Sequence, residues 1–223
     1  MASVLAQGKE ISVASEARRL GVHPMTIRRD LAALANAGVL VRCYGGGIPA
    51  QRITFEFEFD ERRRRRLAEK KRLGSAAAER VQPGQTVMLD TGTTTLQVAK
   101  AIAASGRSCT CITSSLVIAS QLWAREEIEL MLLGGRVRRG SPDLVGPAVK
   151  TLLAKLTADI AFLGSDGVDP TRGCFAGDIE TAYVAEQMAA SARQVIVVAD
   201  SSKLGLAGNV RSVSYTHLTL PTN

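Results

Sequence analysis

The sequence predicts an α/β protein in two parts: a small N-terminal unit of helices closed by a β-hairpin, then a larger unit on a mostly parallel sheet. Three observations carry this prediction. Residues 12–47 hold two short amphipathic helical patterns, separated by a glycine and a proline and followed by a glycine-rich hairpin. From residue 67 onward, apolar runs of strand length alternate with helical periods. The charge divides near the same place. Residues 1–72 hold 15 Lys and Arg against 8 Asp and Glu, whereas residues 73–223 hold 13 of each, so the whole net charge of +7 lies on the first segment.

In the first unit Ser12 can cap a helix in which Val13, Ala17 and Leu20 fall at i, i+4, i+7. Gly21 can take the left-handed cap that stops it. Pro24 suits a first helical position, and a second helix is predicted over 23–37, with Ile27, Leu31 and Leu34 as its core stripe. Opposite that stripe stands Arg29, flanked by Met25, Thr26, Ala32 and Ala33, with Arg28 on the shoulder. Gly38 ends the helix, and residues 39–42 read as a short strand running into Tyr44, Gly45, Gly46 and Gly47. Helix, tight turn, helix with an outward arginine and hairpin make the pattern of a winged helix-turn-helix, which lays the N-terminal half of its second helix in the major groove. Arginine offers the paired donors that match guanine O6 and N7, and other basic groups hold phosphate. Met25, Thr26 and Arg29 are therefore expected at base edges, and Arg28, Arg42, Tyr44, Gly45 and Gly46 near phosphates of double-stranded DNA. Read instead as a solvated helix face, Arg28-Arg29-Asp30 would leave the glycine stops, the proline start and the hairpin unexplained. The located basic surplus is what an electrostatic footprint on nucleic acid requires.

Residues 1–11 are short for the first helix of such a unit, with only Val4, Leu5 and Ala6 as its apolar end, so that helix is expected to be incomplete. The expected division is 1–48 for the DNA-binding domain, 49–68 for a linker, 69–204 for the α/β domain and 205–223 for a tail outside it. In the linker Phe55, Phe57 and Phe59 alternate with acidic residues at a strand-like period, and five arginines follow at 62–66. That run either touches phosphate or an acidic partner, or is a solvated interdomain helix face.

The second part predicts helices over 67–81, around 96–103, over 116–124, around 152–156 and over 182–192. Strands are predicted over 87–89, 110–113, 128–133, 160–163 and 195–199. Ligands of such sheets bind outside the carboxyl ends of the strands. Those ends read Asp90-Thr91-Gly92-Thr93-Thr94-Thr95, Thr113-Ser114-Ser115, Gly134-Gly135-Arg136, Gly164-Ser165-Asp166-Gly167 and Asp200-Ser201-Ser202-Lys203. Small, hydroxylated and charged residues also serve ordinary strand-to-helix turns, but five converging loops of this kind point to a ligand site. Thr93, Thr94 and Thr95 precede a helix, whose positive end suits an anion, and Lys203 and Arg136 add formal charge. A phosphorylated, hydroxyl-rich small molecule fits this composition.

Cys43, Cys109, Cys111 and Cys174 form no framework, and with only His23 and His217 in the chain no metal site or metal cofactor is expected. Neither the phosphate-loop pattern G-x-x-x-x-G-K-[ST] nor G-x-G-x-x-G occurs, which disfavours a nucleotide cofactor. No signal peptide and no apolar run of membrane-spanning length is present, so a cytoplasmic protein is expected.

Taken together, Thr26-Ile27-Arg28-Arg29-Asp30-Leu31, Tyr44-Gly45-Gly46-Gly47, Asp60-Glu61-Arg62, Glu69-Lys70 and the strand-end loop over 90–95 resemble the DeoR-type bacterial sugar-operon repressors. Leu132-Leu133-Gly134-Gly135, Leu144-Val145-Gly146-Pro147, Gly164-Ser165-Asp166-Gly167 and Asp200-Ser201-Ser202-Lys203 continue the resemblance, which spans residues 5–204. It implies a sensor domain related to ribose-5-phosphate isomerase, a phosphorylated sugar or sugar acid as effector, release of operator DNA, and a homo-oligomer. Asp90, Gly92, Thr93, Thr94, Thr95, Ser114, Gly135, Asp166 and Lys203 are the expected effector residues. Ser114 replaces the asparagine usual in that family. After Lys203 the resemblance stops, and the sequence ending at Asn223 reads like unrelated sequence joined to a broken frame. The competing reading is a sugar-phosphate isomerase with Asp90 or Asp166 as base and Lys203 as electrostatic stabiliser, but no catalytic pair stands out.

Overall fold

The computed structural model describes residues 11–36, 40–43, 45–49, 59, 61–138 and 141–214. The chain divides into two compact units, Met1–Arg62 and Arg63–Asn223.

In the first unit Ser12 ends the short strand β1 (Ile11–Ser12), and its hydroxyl accepts from the Ser15 N–H at 3.5 Å to cap α1 (Val13–Leu20). Gly21, at φ 65°, closes α1 with the left-handed cap expected of it. The second helix, α2 (Pro24–Asn36), buries Ile27 and Leu31 almost completely. Strands β2 (Leu40–Cys43) and β3 (Gly46–Pro49) form the antiparallel hairpin, and β1 pairs with the outer side of β3 through Ile11 opposite Gly47 and Ser12 opposite Gly46. A Cβ on Gly46 would lie 1.9 Å from the Ile11 carbonyl oxygen, so this approach admits only glycine. Ile11, Val13, Ala17, Ile27, Leu31 and Leu40 make the core, with Leu34 and Ala35 packed at its edge.

One predicted core position differs. Leu20 is 45% exposed, and Glu16 is buried in α1 instead. Leu20 is the last residue before the Gly21 turn, whereas Glu16, buried in α1, is paired with Arg19 at 2.7 Å. The predicted first helix around Val4 and the phenylalanine alternation at 55 and 57 lie outside the described residues. Phe59 itself is helical, not extended.

In the second unit, α3 (Leu67–Ala78) leads into β4 (Thr86–Leu89), α4 (Thr95–Ser105), β5 (Cys109–Thr113), α5 (Leu116–Leu122) and β6 (Ile128–Leu132). A hairpin of β7 (Arg136–Val137) and β8 (Leu144–Val145) precedes α6 (Pro147–Leu153) and β9 (Ala158–Gly164). Then come β10 (Gly167–Asp169), β11 (Gly173–Ala176), α7 (Ile179–Ala190), β12 (Ala192–Val198), a short 3-10 turn over Ser201–Lys203 and β13 (Val210–Val213). The main sheet has the order β12-β9-β4-β5-β6 and every neighbouring pair is parallel. Met88, Ile112, Ala161, Leu163 and Val195 share one core with Val149 and Leu153 of α6 and Val184 and Met188 of α7. The alternate residues Val87, Leu89 and Phe162 are fully buried as well, so both faces are covered, as a parallel sheet demands. On α3, a Cβ at Gly74 would lie 2.6 Å from the Gln97 backbone, so the main chains of α3 and α4 approach closely there.

The helix predicted around 152–156 begins earlier, at Pro147, where the ring's fixed φ suits a first turn, and it ends before Leu156. The sequence assigned no strand after Lys203, yet β13 joins β11 in a small antiparallel sheet with β10, and Ser212 and Val213 are buried. No described helix is long and apolar enough to cross a membrane.

Candidate functional site

Two sites follow from the two units. In the first, Ile27 and Leu31 anchor α2 to the core, which turns the opposite side of the helix to solvent. Met25 is 59% exposed, Arg28 and Arg29 are exposed, and Thr26 is half-buried. Arg42 on β2 and Gly45 at the hairpin turn are also exposed, whereas Gly46 is buried under β1. Tyr44 lies outside the described residues. Among the described residues, Met25, Arg28 and Arg29 of the helix and Arg42 of the hairpin are thus exposed, as the sequence expected of a face that meets DNA.

In the second unit the carboxyl ends of β4, β5, β9 and β12 converge. Asp90 follows β4 and is buried, its two carboxylate oxygens accepting from the N–H groups of Thr91 (2.7 Å) and Gly164 (3.1 Å). Burial pushes its pKa up to about 7 against the pull of those two hydrogen bonds, and the charges of Asp143 and Asp166 push the same way. Asp90 is therefore a carboxyl group that exchanges its proton near neutrality. Gly92, at φ 133°, accepts at its carbonyl from the Thr95 hydroxyl at 3.1 Å. Thr93 and Thr95 are buried, and the Thr93 hydroxyl accepts from Lys70 Nζ at 3.0 Å, while Thr94 is half-buried. The threonine run is thus already bonded within the protein, apart from what Thr94 and the backbone can offer.

Beside it, Asp200 is buried and caps the 3-10 turn by accepting from Ser202 N–H at 3.0 Å. Burial would raise its pKa, but the Ser202 hydrogen bonds and the charges of Arg66 and Lys70 bring it below the ordinary value. Lys203 is half-buried in that turn, its N–H donating to the Asp200 carbonyl at 3.0 Å. An open cavity of about 330 Å³ is lined by Asp200 together with Glu69, Arg72, Leu73, Ala76, Ala199 and Ser201.

The hairpin β7–β8 straps the other end. Ser114 is buried, its carbonyl accepting from Leu144 N–H at 2.8 Å, and Asp143 pairs with Ser115. A Cβ on Gly135 would lie 2.8 Å from the Val145 carbonyl oxygen, which keeps that position free of a side chain. Asp166 accepts from Gly177 N–H at 2.9 Å. Arg136, expected to lend charge to a ligand, instead pairs with Glu180 at 2.5 Å. Arg138 bridges the buried Asp143 and Asp178, the N-cap of α7. Among the described residues no cluster of three or more His, Cys, Asp or Glu is placed to hold a metal ion.

The chain matches the DeoR-like helix-turn-helix domain over residues 1–51 and the DeoR C terminal sensor domain over residues 65–220. It belongs to the DeoR family. Among its relatives, the HTH-type transcriptional regulator GlpR of Haloferax volcanii is 33% identical over 209 residues, covering 94% of this chain and 81% of that protein. The glycerol-3-phosphate regulon repressor of Escherichia coli is 28% identical over 196 residues, covering 87% of this chain and 77% of that protein. Among solved structures, ribose 5-phosphate isomerase A of Methanocaldococcus jannaschii matches 62% of this chain and 54% of its own, with 21% identity and a TM-score of 0.46. The named relatives are regulators and repressors, so this DeoR-family chain is a DNA-binding transcriptional regulator and not an isomerase.

Sequence reasoning missed Lys70, Asp143, Arg138 and Asp200's burial within this DeoR-type sensor unit. For Lys70 a signal existed. It lies three residues after Leu67 and four before Gly74, on the stripe of α3 that faces α4, where a lysine is out of place unless a buried acceptor awaits it.

Proposed function

We propose that the chain represses a sugar-metabolism operon, holding operator DNA through α2 and its hairpin and releasing it when a phosphorylated sugar occupies the strand-end crevice. The convergence of Lys70, Thr93, Asp90 and Asp200 from three elements is the observation that carries the effector reading. In this arrangement Thr94, the Gly92 loop, Lys203 and the end of α4 take the phosphate, while Asp90, Ser114, Gly135 and Asp166 border the hydroxyl-bearing part. Residues 1–48 serve as the DNA-binding domain, 49–68 as linker and 69–204 as sensor, with β13 adding to the sensor from within 205–223. The protein acts in the cytoplasm as a homo-oligomer, since paired recognition helices match paired half-sites. An effector favours an arrangement in which that spacing no longer matches.

On DNA, Met25, Thr26 and Arg29 meet base edges, and Arg28, Arg42 and the hairpin of Tyr44, Gly45 and Gly46 meet phosphates. Arg29→Ala is expected to lower affinity by about 1–3 kcal/mol, with the loss concentrated at one base position. Anisotropy titrations of the full chain against duplexes from its own promoter region, at several salt concentrations, test both parts. Equal loss across all sequences moves Arg29 to a phosphate role, and an absence of salt-sensitive affinity for any such duplex overturns the reading. A panel of sugar phosphates, scored by melting temperature and by DNA release, tests the effector.

A further inference from the structure

The residue before Pro24 has to cap α2, a position that serine, threonine, aspartate and asparagine usually fill. Here it is His23. The Met25 N–H donates to His23 Nδ1 at 3.2 Å, and the Thr26 N–H donates to the His23 carbonyl at 2.9 Å. We propose that His23 is a DNA-contacting residue, with Nδ1 committed to the helix cap and Nε2–H donating to a backbone phosphate of the duplex. The inference rests on α2 being the recognition helix.

An Nδ1 that accepts a hydrogen bond carries no proton, so the neutral ring holds its proton on Nε2. The two nitrogens are separated by one ring carbon and point in diverging directions. With Nδ1 turned to the first turn of α2, Nε2 is directed away from it, and the residue is exposed. Its neighbours along the same end of the helix, Met25, Arg28 and Arg29, are exposed too. A serine would cap this helix equally well. What the imidazole adds is a second, outward donor held rigidly by the first. An anionic oxygen is its natural acceptor, because a charged acceptor gives the stronger hydrogen bond and the end of α2 carries positive potential. A structural metal role has no support, since no described cluster of ligating residues includes His23.

Four variants of the full chain separate the cap from the contact: His23→Ser keeps an acceptor for Met25, His23→Asn keeps both an acceptor and an outward N–H, His23→Ala keeps neither, and the double substitution R28A/R29A marks the use of α2. Melting temperature and affinity for a promoter duplex are read at several salt concentrations. His23→Ser should melt like the parent yet bind DNA about tenfold more weakly. Its salt slope should not change, because a neutral donor displaces no counterion, whereas R28A/R29A should flatten that slope. His23→Asn should recover most of the affinity. If His23→Ser binds as tightly as the parent while R28A/R29A is weakened, the phosphate contact is refuted and His23 is a cap alone. If neither is weakened, α2 is not the DNA-facing helix, and both this inference and the reading beneath it fall.

Discussion

Replacing Asp90 by asparagine should change the protein's stability with a sign that depends on pH. In the folded protein the Asp90 carboxyl titrates near 7, against an ordinary value of 3.8, because burial disfavours its charge. A rise of that size corresponds to roughly 4 kcal/mol of preference for the protonated form. Between the two values the folded chain binds more protons at this site than the unfolded chain. Stability therefore falls as pH rises: the penalty is absent below the unfolded value and complete above the folded one. Between about pH 5.5 and about pH 8 the change is roughly 2 kcal/mol. Asparagine removes that dependence. It retains one acceptor for the N–H groups of Thr91 and Gly164, turns an amide donor toward the other, and so loses about 1–3 kcal/mol at every pH. Asp90→Asn should thus be the less stable protein near pH 5.5 and gain ground by about 2 kcal/mol near pH 8. Urea titrations of both proteins at the two pH values, followed by circular dichroism, measure this directly. A stability difference that stays constant across them would show that Asp90 is ionised throughout and that its burial has been misjudged.

Other substitutions probe the same framework. Gly74→Ala adds a Cβ 2.6 Å from the Gln97 backbone, and because main chain cannot step aside, overpacking of about 1–3 kcal/mol should outweigh alanine's gain in helix propensity. A melting temperature equal to or above the parent's would contradict that close contact. Arg138→Ala strands the buried Asp143 without its cation and should destabilise the sensor unit by about 3 kcal/mol, with Arg138→Ala/Asp143→Asn recovering much of it in denaturant titrations. Lys203→Ala should leave DNA affinity without effector unchanged, yet raise the sugar-phosphate concentration for half-release by about tenfold or more, measured by competition anisotropy.

The parallel sheet was legible because its strands are unbroken apolar runs, such as Val87-Met88-Leu89, that can only be buried on both faces. The helix-turn-helix was legible because Gly21 and Pro24 each have one conformational use there. The strands β7, β8, β10, β11 and β13 escaped notice because two to four residues establish no period, and their antiparallel partners lie across loops. At the site, the residue types at the strand ends could be read, but not their bonds. Thr93 and Thr95 were expected to face a ligand, and their hydroxyls are instead engaged by Lys70 and Gly92. The Arg138–Asp143 pair spans a hairpin whose existence the sequence did not announce, so a charge five residues from its partner carried no signal.

The segregation of charge bears on how such a regulator can switch. Residues 1–72 carry the whole surplus of seven positive charges, but the unit Met1–Arg62 holds 8 Lys and Arg against 7 Asp and Glu, so most of the surplus lies on residues 63–72, where the sensor unit begins. Residues 73–223 are balanced at 13 and 13, so the sensor unit's positive charge is confined to its first residues. A sugar phosphate brings only a few negative charges, too few to screen that cationic segment from a duplex. Release must therefore come from the effector's unequal affinity for two arrangements of the protein. Turning a population from about 1:99 to 99:1 requires a difference near 5.5 kcal/mol. No single hydrogen bond supplies that, but the proposed crevice can, because one ligand there would bear on Lys70 of α3, Asp90 at the end of β4 and the Asp200–Lys203 turn at the end of β12 at once.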